Sequence, residues 1–196
     1  KERKKFCINQ FKKFNVKYEI FDAYDGNALS RENFSKYSSK LAFKTEKRDL
    51  AFDEIGCSLS HLKIYEKIVK EKVSESLILE DDIIIHKKLF HIIRKIPNYV
   101  EFINFKSDAK QKKIHLLDTN FYLTKFKQIP NRTCAIYLKF SAAKKLYLSG
   151  FPIKQPADGL TGRLVNSGKI KGYGVLPELI KLRKIKTSIS GRGSIF

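Results

Sequence analysis

The sequence predicts one α/β domain, and three observations predict it. A chain of 196 residues with 42% apolar and 12% aromatic content can bury one substantial core. An amphipathic helical pattern over Leu59, Leu62, Tyr65, Ile68 and Val69 runs into the short apolar segment Leu77-Ile78-Leu79. Further short apolar runs then recur between turn residues, as strands do in a sheet covered by helices.

In chain order, Phe6, Ile8, Phe11 and Phe14 recur near helical spacing over residues 1–14, and Val16, Tyr18 and Ile20 alternate as a strand does. Asp25-Gly26 marks a turn. Residues 30–48 are polar with weak periodicity, which suits a short helix and a mobile loop. The helix around residues 59–69 is the clearest element, with Lys63, Glu66, Lys67 and Lys70 on its wet face. Leu77-Ile78-Leu79 reads as a buried central strand that ends abruptly in Glu80-Asp81-Asp82. Phe102–Phe105, Phe121–Leu123 and Cys134–Leu138 read as further strands, and Ser141 as the cap of a helix that stops at Gly150. After Pro152 the chain becomes glycine-rich, which predicts loops shaping a site. From about residue 178 to 196 it reads as a basic tail, so the whole of 1–196 is assigned to a single domain. The opening Lys-Glu-Arg-Lys-Lys without a methionine reads as a fragment lacking a first strand.

The 40 Lys+Arg against 20 Asp+Glu give a net charge of +20, which implies an anionic partner: phosphate groups, a membrane surface or nucleic acid. Cys7, Cys57 and Cys134 are odd in number, widely spaced and outside any CxxC pattern, so neither a disulfide framework nor a zinc site is expected. With no apolar run long enough to cross a bilayer and no signal-peptide pattern, the expected location is the cytoplasm, peripheral at the inner membrane.

The sharpest local signal is Glu80-Asp81-Asp82. Three carboxylates at a strand end repel one another unless a hard divalent cation neutralises them, and the alternative is a solvated acidic turn. Asp25 and Gly26 suit either a loop that hydrogen-bonds a nucleoside or an ordinary turn. Ser60 and His61 either contact a donor or serve the helix itself. Arg163 suits a bidentate phosphate contact or a solvated role.

The run Glu54-Ile55-Gly56-Cys57-Ser58-Leu59-Ser60-His61, followed by Leu77-Ile78-Leu79-Glu80-Asp81-Asp82, resembles the signature block of glycosyltransferase family 25. Phe21-Asp22-Ala23-Tyr24-Asp25-Gly26 upstream and Pro156-Ala157-Asp158-Gly159-Leu160-Thr161-Gly162-Arg163 downstream agree in order and spacing. The resemblance runs over about residues 1–176 and is weakest over residues 110–127.

This resemblance implies a GT-A type, Rossmann-like nucleotide-sugar-binding fold. It implies Mn2+ or Mg2+ held by Asp82 and Glu80, with Asp81, Asp25, Gly26, Ser60, His61 and Arg163 on the donor. It also implies Asp158 as the general base of an inverting transfer, with a loop turn as the alternative role for that residue. The implied donor is a UDP-hexose, galactose being the family's commonest sugar, and a β-1,4-galactosyl linkage is expected. The implied acceptor is a lipopolysaccharide or other oligosaccharide. The competing classes are a basic nucleic-acid-binding protein, for which no supporting motif is present, and a metal-dependent phosphohydrolase.

Overall fold

The structure, a computed structural model, describes residues 2–183. Its centre is a six-stranded mixed sheet with helices on both faces. The strands are β1 (Glu75–Leu79), β3 (Phe102–Asn104), β4 (Gln111–Asp118), β5 (Phe121–Phe126), β6 (Ala135–Lys139) and β7 (Gly172–Leu176), in the order β1-β6-β3-β7-β5-β4. The β3–β7 pair is parallel, and the other neighbouring pairs are antiparallel. A separate two-stranded ribbon joins β2 (Ile83–Ile85) to β8 (Ile180–Leu182). The expected α/β fold is present, as a single sheet between helical layers.

Alternation along the strands divides the core between the two faces. Ile78, Phe102, Ile136 and Leu138 point to one cluster, which includes Leu59, Leu62, Tyr65 and Ile68 of α4 (Phe52–Lys70). The same cluster takes Ala142, Ala143 and Leu146 of α6 (Phe140–Ser149) and Leu160 and Leu164 of α7 (Ala157–Asn166). Ile103, Ala135, Tyr137, Leu123 and Val175 point the other way. They meet Ile83 and Ile85 of β2, Leu89 and Ile92 of α5 (Leu89–Ile93), and Phe11 and Phe14 of α1 (Glu2–Phe14).

Several expectations need correction. Val16–Ile20 is extended but joins no ladder, because no strand lies beside it among the described residues. The polar 30–48 region holds two short helices, α2 (Arg31–Phe34) and α3 (Ser39–Glu46), capped by Ser30 and Ser38. Helix α4 begins at Phe52, seven residues before the apolar periodicity is evident. Glu54 accepts from the Ala51 N–H at 3.0 Å and is forked by Arg48 at 2.7 Å through both oxygens, which secures that first turn. Ser60 and His61 therefore lie mid-helix rather than near a helix start.

Helix α6 does stop at Gly150, but its N-cap is Lys139, and the Ser141 hydroxyl instead donates to Glu101 at 2.6 Å. The Pro156–Arg163 segment is the start of α7, where a loop was expected. Residues 111–126 form a hairpin whose first strand is largely exposed, so it lacks the apolar alternation that would mark it. Of the expected basic tail, Ile180–Leu182 is strand β8, and residues 184–196 lie outside the described residues.

Candidate functional site

Antiparallel pairing of β6 with both β1 and β3 puts the end of β1, the end of β3 and the start of β6 on one edge of the sheet, through Leu79 opposite Ala135 and Asn104 opposite Ile136. Glu80 with His61 beside it, and the Arg132 loop with Asp158, arrive at this edge.

Glu80 extends the β1–β6 ladder by one bond, its N–H donating to the Cys134 carbonyl at 2.8 Å. The chain then turns through Asp81-Asp82 into β2. Helix α1 fixes the turn from outside: Arg3 lies 3.4 Å from Asp81 Oδ1, the Cys7 thiol donates to the Asp81 carbonyl at 3.6 Å, and Gln10 brackets β2 through the Ile83 carbonyl and the Ile85 N–H. From β8, the Arg183 N–H donates to the Asp82 carbonyl at 2.8 Å.

Asp82 is the unusual member. Its Oδ1 is buried and has no hydrogen-bond partner among the described residues. Burial raises its pKa above the usual carboxylate value, and the charges of Glu80 and Asp81 raise it further, with Arg3 acting in the opposite sense. A buried carboxylate oxygen without a donor, next to two other carboxylates, is chemically suited to an oxygen-seeking divalent cation. Asp82 and Glu80 therefore fit such an ion.

The upstream turn is moulded onto α4. A Cβ at Gly26 would lie 2.3 Å from the Phe52 carbonyl oxygen, and one at Gly56 would lie 2.9 Å from the Gly26 nitrogen and the Tyr24 oxygen. The two glycines let backbone touch backbone, which explains why these sequence blocks occur together. Asp25 caps the 3-10 turn Gly26–Ala28 by accepting from the Asn27 N–H at 2.9 Å and is otherwise exposed. Ser60 is buried, accepting from the Tyr24 N–H at 2.9 Å and donating to the Gly56 carbonyl at 2.8 Å, so both of its bonds hold this same junction.

His61 is buried, with Nε2 3.4 Å from Glu80 Oε1 and Nδ1 3.3 Å from the Tyr65 hydroxyl. Burial alone would depress its pKa, but Tyr65, Cys57 and Glu80 around the ring raise it well above the usual imidazole value.

On the opposite side, Asp158 lies in the first turn of α7. Its Oδ2 accepts from the Arg132 N–H at 3.2 Å and its Oδ1 from the Gly159 N–H at 2.9 Å. Arg132 adopts a left-handed backbone with φ of 62° and pairs through Nε with Asp108 at 2.7 Å. The buried Asn104 side chain donates to both the Asn131 and the Arg132 carbonyls at 2.9 and 2.8 Å, tying this loop to the end of β3. A Cβ at Gly162 would lie 2.3 Å from the Pro130 oxygen, so α7 also rests directly on the loop. Two residues after Arg132, Cys134 bonds Glu80. The Asp158 rim and the acidic turn are thus adjacent through one short segment.

Arg163 is occupied within the protein. Its guanidinium meets Glu46 at 2.6 Å, the Gln155 side chain, and the Thr45 carbonyl at 3.4 Å, which binds α7 to α3.

Asn104, Arg132 and Tyr65 escape the sequence reading as site residues, while Asp108 stands there only as an alternative base, with Asp118 and Glu178, should Asp158 not be the base. Asn104 carries a weak signal, as a polar residue inside the apolar run Phe102–Phe105. Cys57 and His61 carry a better one, since four-residue spacing puts both on one helix face.

A sequence model described as glycosyltransferase family 25 (LPS biosynthesis protein) matches residues 1–161. A glycosyltransferase 25 family member of Aedes aegypti is 38% identical over 86 residues, covering 42% of this chain and 14% of that protein. A putative glycosyltransferase of Haemophilus influenzae is 26% identical over 170 residues, covering 84% of this chain and 58% of that protein. Procollagen galactosyltransferase 2 of Mus musculus is 24% identical over 87 residues, covering 42% and 14%. The chain thus spans less than two thirds of the length of each of these relatives.

Proposed function

The chain belongs to glycosyltransferase family 25, and from that premise we propose that it transfers a hexose from a nucleotide sugar to a glycan acceptor at the edge formed by Glu80–Asp82, Arg132 and Asp158. The observation that carries this reading is the buried, unpartnered Asp82 Oδ1 at the strand end beside a carboxylate held by backbone donors. Asp82 and Glu80 would hold Mn2+ or Mg2+, which would supply charge neutralisation for a departing nucleoside diphosphate.

The remaining chemistry belongs to the chain. Asp158 is oriented by the Arg132 and Gly159 N–H groups and serves as the base. As the acceptor oxygen bonds to the anomeric carbon and the bond to the diphosphate oxygen breaks, the acceptor proton passes to the Asp158 carboxylate, and the configuration inverts. Asp25 and Gly26 meet the nucleoside, and Asp81 faces the donor. Ser60, His61 and Arg163 act from behind, through the contacts that hold the α4 and α7 walls.

The donor is assigned as UDP-galactose, supported by the galactosyltransferase among the relatives, with a β-1,4 linkage. The acceptor is a lipopolysaccharide or lipooligosaccharide. The net charge of +20 suits its phosphates and an anionic membrane surface, and the location assigned in this reading is the cytoplasmic side of the inner membrane, as a peripheral protein. No helix among the described residues is long and apolar enough to cross a membrane.

The test is transfer of radiolabelled galactose from UDP-galactose to a lipooligosaccharide acceptor, with Mn2+, with Mg2+ and with excess chelator. Transfer that requires the cation supports the assignment. Undiminished transfer in chelator contradicts the metal, and transfer from another nucleotide sugar alone contradicts the galactose.

A further inference from the structure

At the first residue of the acidic turn, a thiol, an imidazole and a carboxylate converge. Cys57, His61 and Glu80 each present one ligand atom, and these atoms lie within 4.8 Å of one another. Cys57 and His61 share a face of α4, and Glu80 reaches them from the end of β1. His61 is buried, while Cys57 and Glu80 are half-buried, so the cluster opens toward the site edge.

We propose that Cys57, His61 and Glu80 form a binding site for a divalent cation of the Zn2+ class. Three protein ligands of sulfur, nitrogen and oxygen type leave one tetrahedral position open. Bonds of about 2.0–2.3 Å to such an ion put neighbouring ligand atoms roughly 3.3–3.8 Å apart. The 3.4 Å between His61 Nε2 and Glu80 Oε1 already meets this spacing, and the Cys57 sulfur lies within 4.8 Å of both atoms.

A second, independent feature supports the site. Tyr65, one further turn along α4 and only 1% exposed, holds its hydroxyl 3.3 Å from His61 Nδ1. With the hydroxyl oxygen accepting from Nδ1–H, Nε2, which lies 3.4 Å from Glu80 Oε1, is the ring nitrogen that releases its proton when an ion binds. This outer hydrogen bond is the arrangement that fixes the tautomer and ring angle of metal-bound histidines. The thiol sets the preference, because a thiolate selects a borderline or soft ion over Mg2+. An ion here would tie the first residue of the acidic run to the middle of α4. The site goes beyond the glycosyl-transfer reading and does not rest on it; it shares Glu80 with the Mn2+ or Mg2+ assignment, so when it is filled through Glu80 Oε1 that assignment falls mainly to Asp82.

The test is titration of metal-stripped protein with Co2+. Equimolar Co2+ should give tetrahedral visible bands and a near-ultraviolet thiolate-to-cobalt band. Zn2+ should abolish both, and a large excess of Mg2+ should leave them unchanged. The thiolate band should be lost in Cys57→Ser and kept in Cys7→Ser. Absence of the band in the unaltered chain, or its persistence in Cys57→Ser, overturns the proposal.

Alkylation of the unaltered chain provides a check that no misfolded variant can confuse. Zn2+ should slow modification of Cys57 at least about tenfold when the site is nine-tenths or more filled. Equal alkylation of Cys57 with and without Zn2+ overturns the proposal.

Discussion

Glu54 at the start of α4 and Asp82 at the end of β1 are both carboxylates that the fold draws away from water, under opposite conditions. Glu54 receives two 2.7 Å bonds from Arg48 and one from the Ala51 N–H. Asp82 keeps a buried oxygen without a donor and sits beside two like charges. Glu101 follows the Glu54 pattern. Despite burial, which acts to raise its pKa, Lys145, the Lys171 N–H and Ser141 hold its carboxyl down at about 2.

In a chain with 40 basic and 20 acidic residues, cations are not scarce. The unmatched oxygen at the strand end is therefore not explained by a shortage of cations in the chain. Their partners stabilise the Glu54 and Glu101 carboxylates in the fold, whereas the surroundings of Asp82 disfavour its ionised form.

The sharpest way to break this comparison is Asp82→Ala, which should lower cation-dependent transfer by about three orders of magnitude or more while leaving the circular dichroism spectrum unchanged. Near-normal turnover would move the metal to other ligands. Asp158→Asn keeps the shape and can still accept from the Arg132 N–H, but takes no proton, so kcat should fall by about two to four orders of magnitude with donor Kd little changed. If kcat holds, Asp108, on the same loop, becomes the carboxylate to test.

The matched carboxylates predict a pH dependence of stability. The Glu101 pKa is lowered from 4.5 to about 2, so its contribution is full above the upper value and is lost as pH falls through that window. The loss should reach about 3 kcal/mol at most, and Glu101→Gln should flatten that part of the urea-denaturation profile between about pH 5 and pH 2. An unchanged acid profile would remove Glu101 from the account.

The contrast between regions also shows what a sequence can carry. Local patterns were legible: the α4 periodicity, the apolar β1, the abrupt acidic run, and glycine-bearing blocks that turned out to touch one another through Gly26 and Gly56. Non-local requirements were not. Val16–Ile20 alternates as a strand, yet a strand exists only when a neighbour completes its ladder. Pro156–Arg163 looked like loop because two glycines lower helix propensity, but Gly162 is there to let α7 rest on Pro130. The positions of Asn104 and Arg132 depend on contacts across 26 to 28 residues of sequence that no linear spacing encodes, whereas Tyr65 lies only one helical turn from His61. Cys57 was set aside for want of a CxxC pattern, although its spacing from His61 on a helix was visible.

The most direct measurement is the thermal stability of Asp82→Asn against the unaltered protein, in chelator and in saturating Mg2+. The Asp82 pKa is raised in the fold, so the ionised form weakens the native state once pH rises through that pKa, and a neutral side chain relieves this. Asp82→Asn should be more stable than the unaltered protein in chelator at neutral pH, and Mg2+ should raise Tm only for the unaltered protein. A less stable Asp82→Asn in chelator, or equal stabilisation of both proteins by Mg2+, would contradict it.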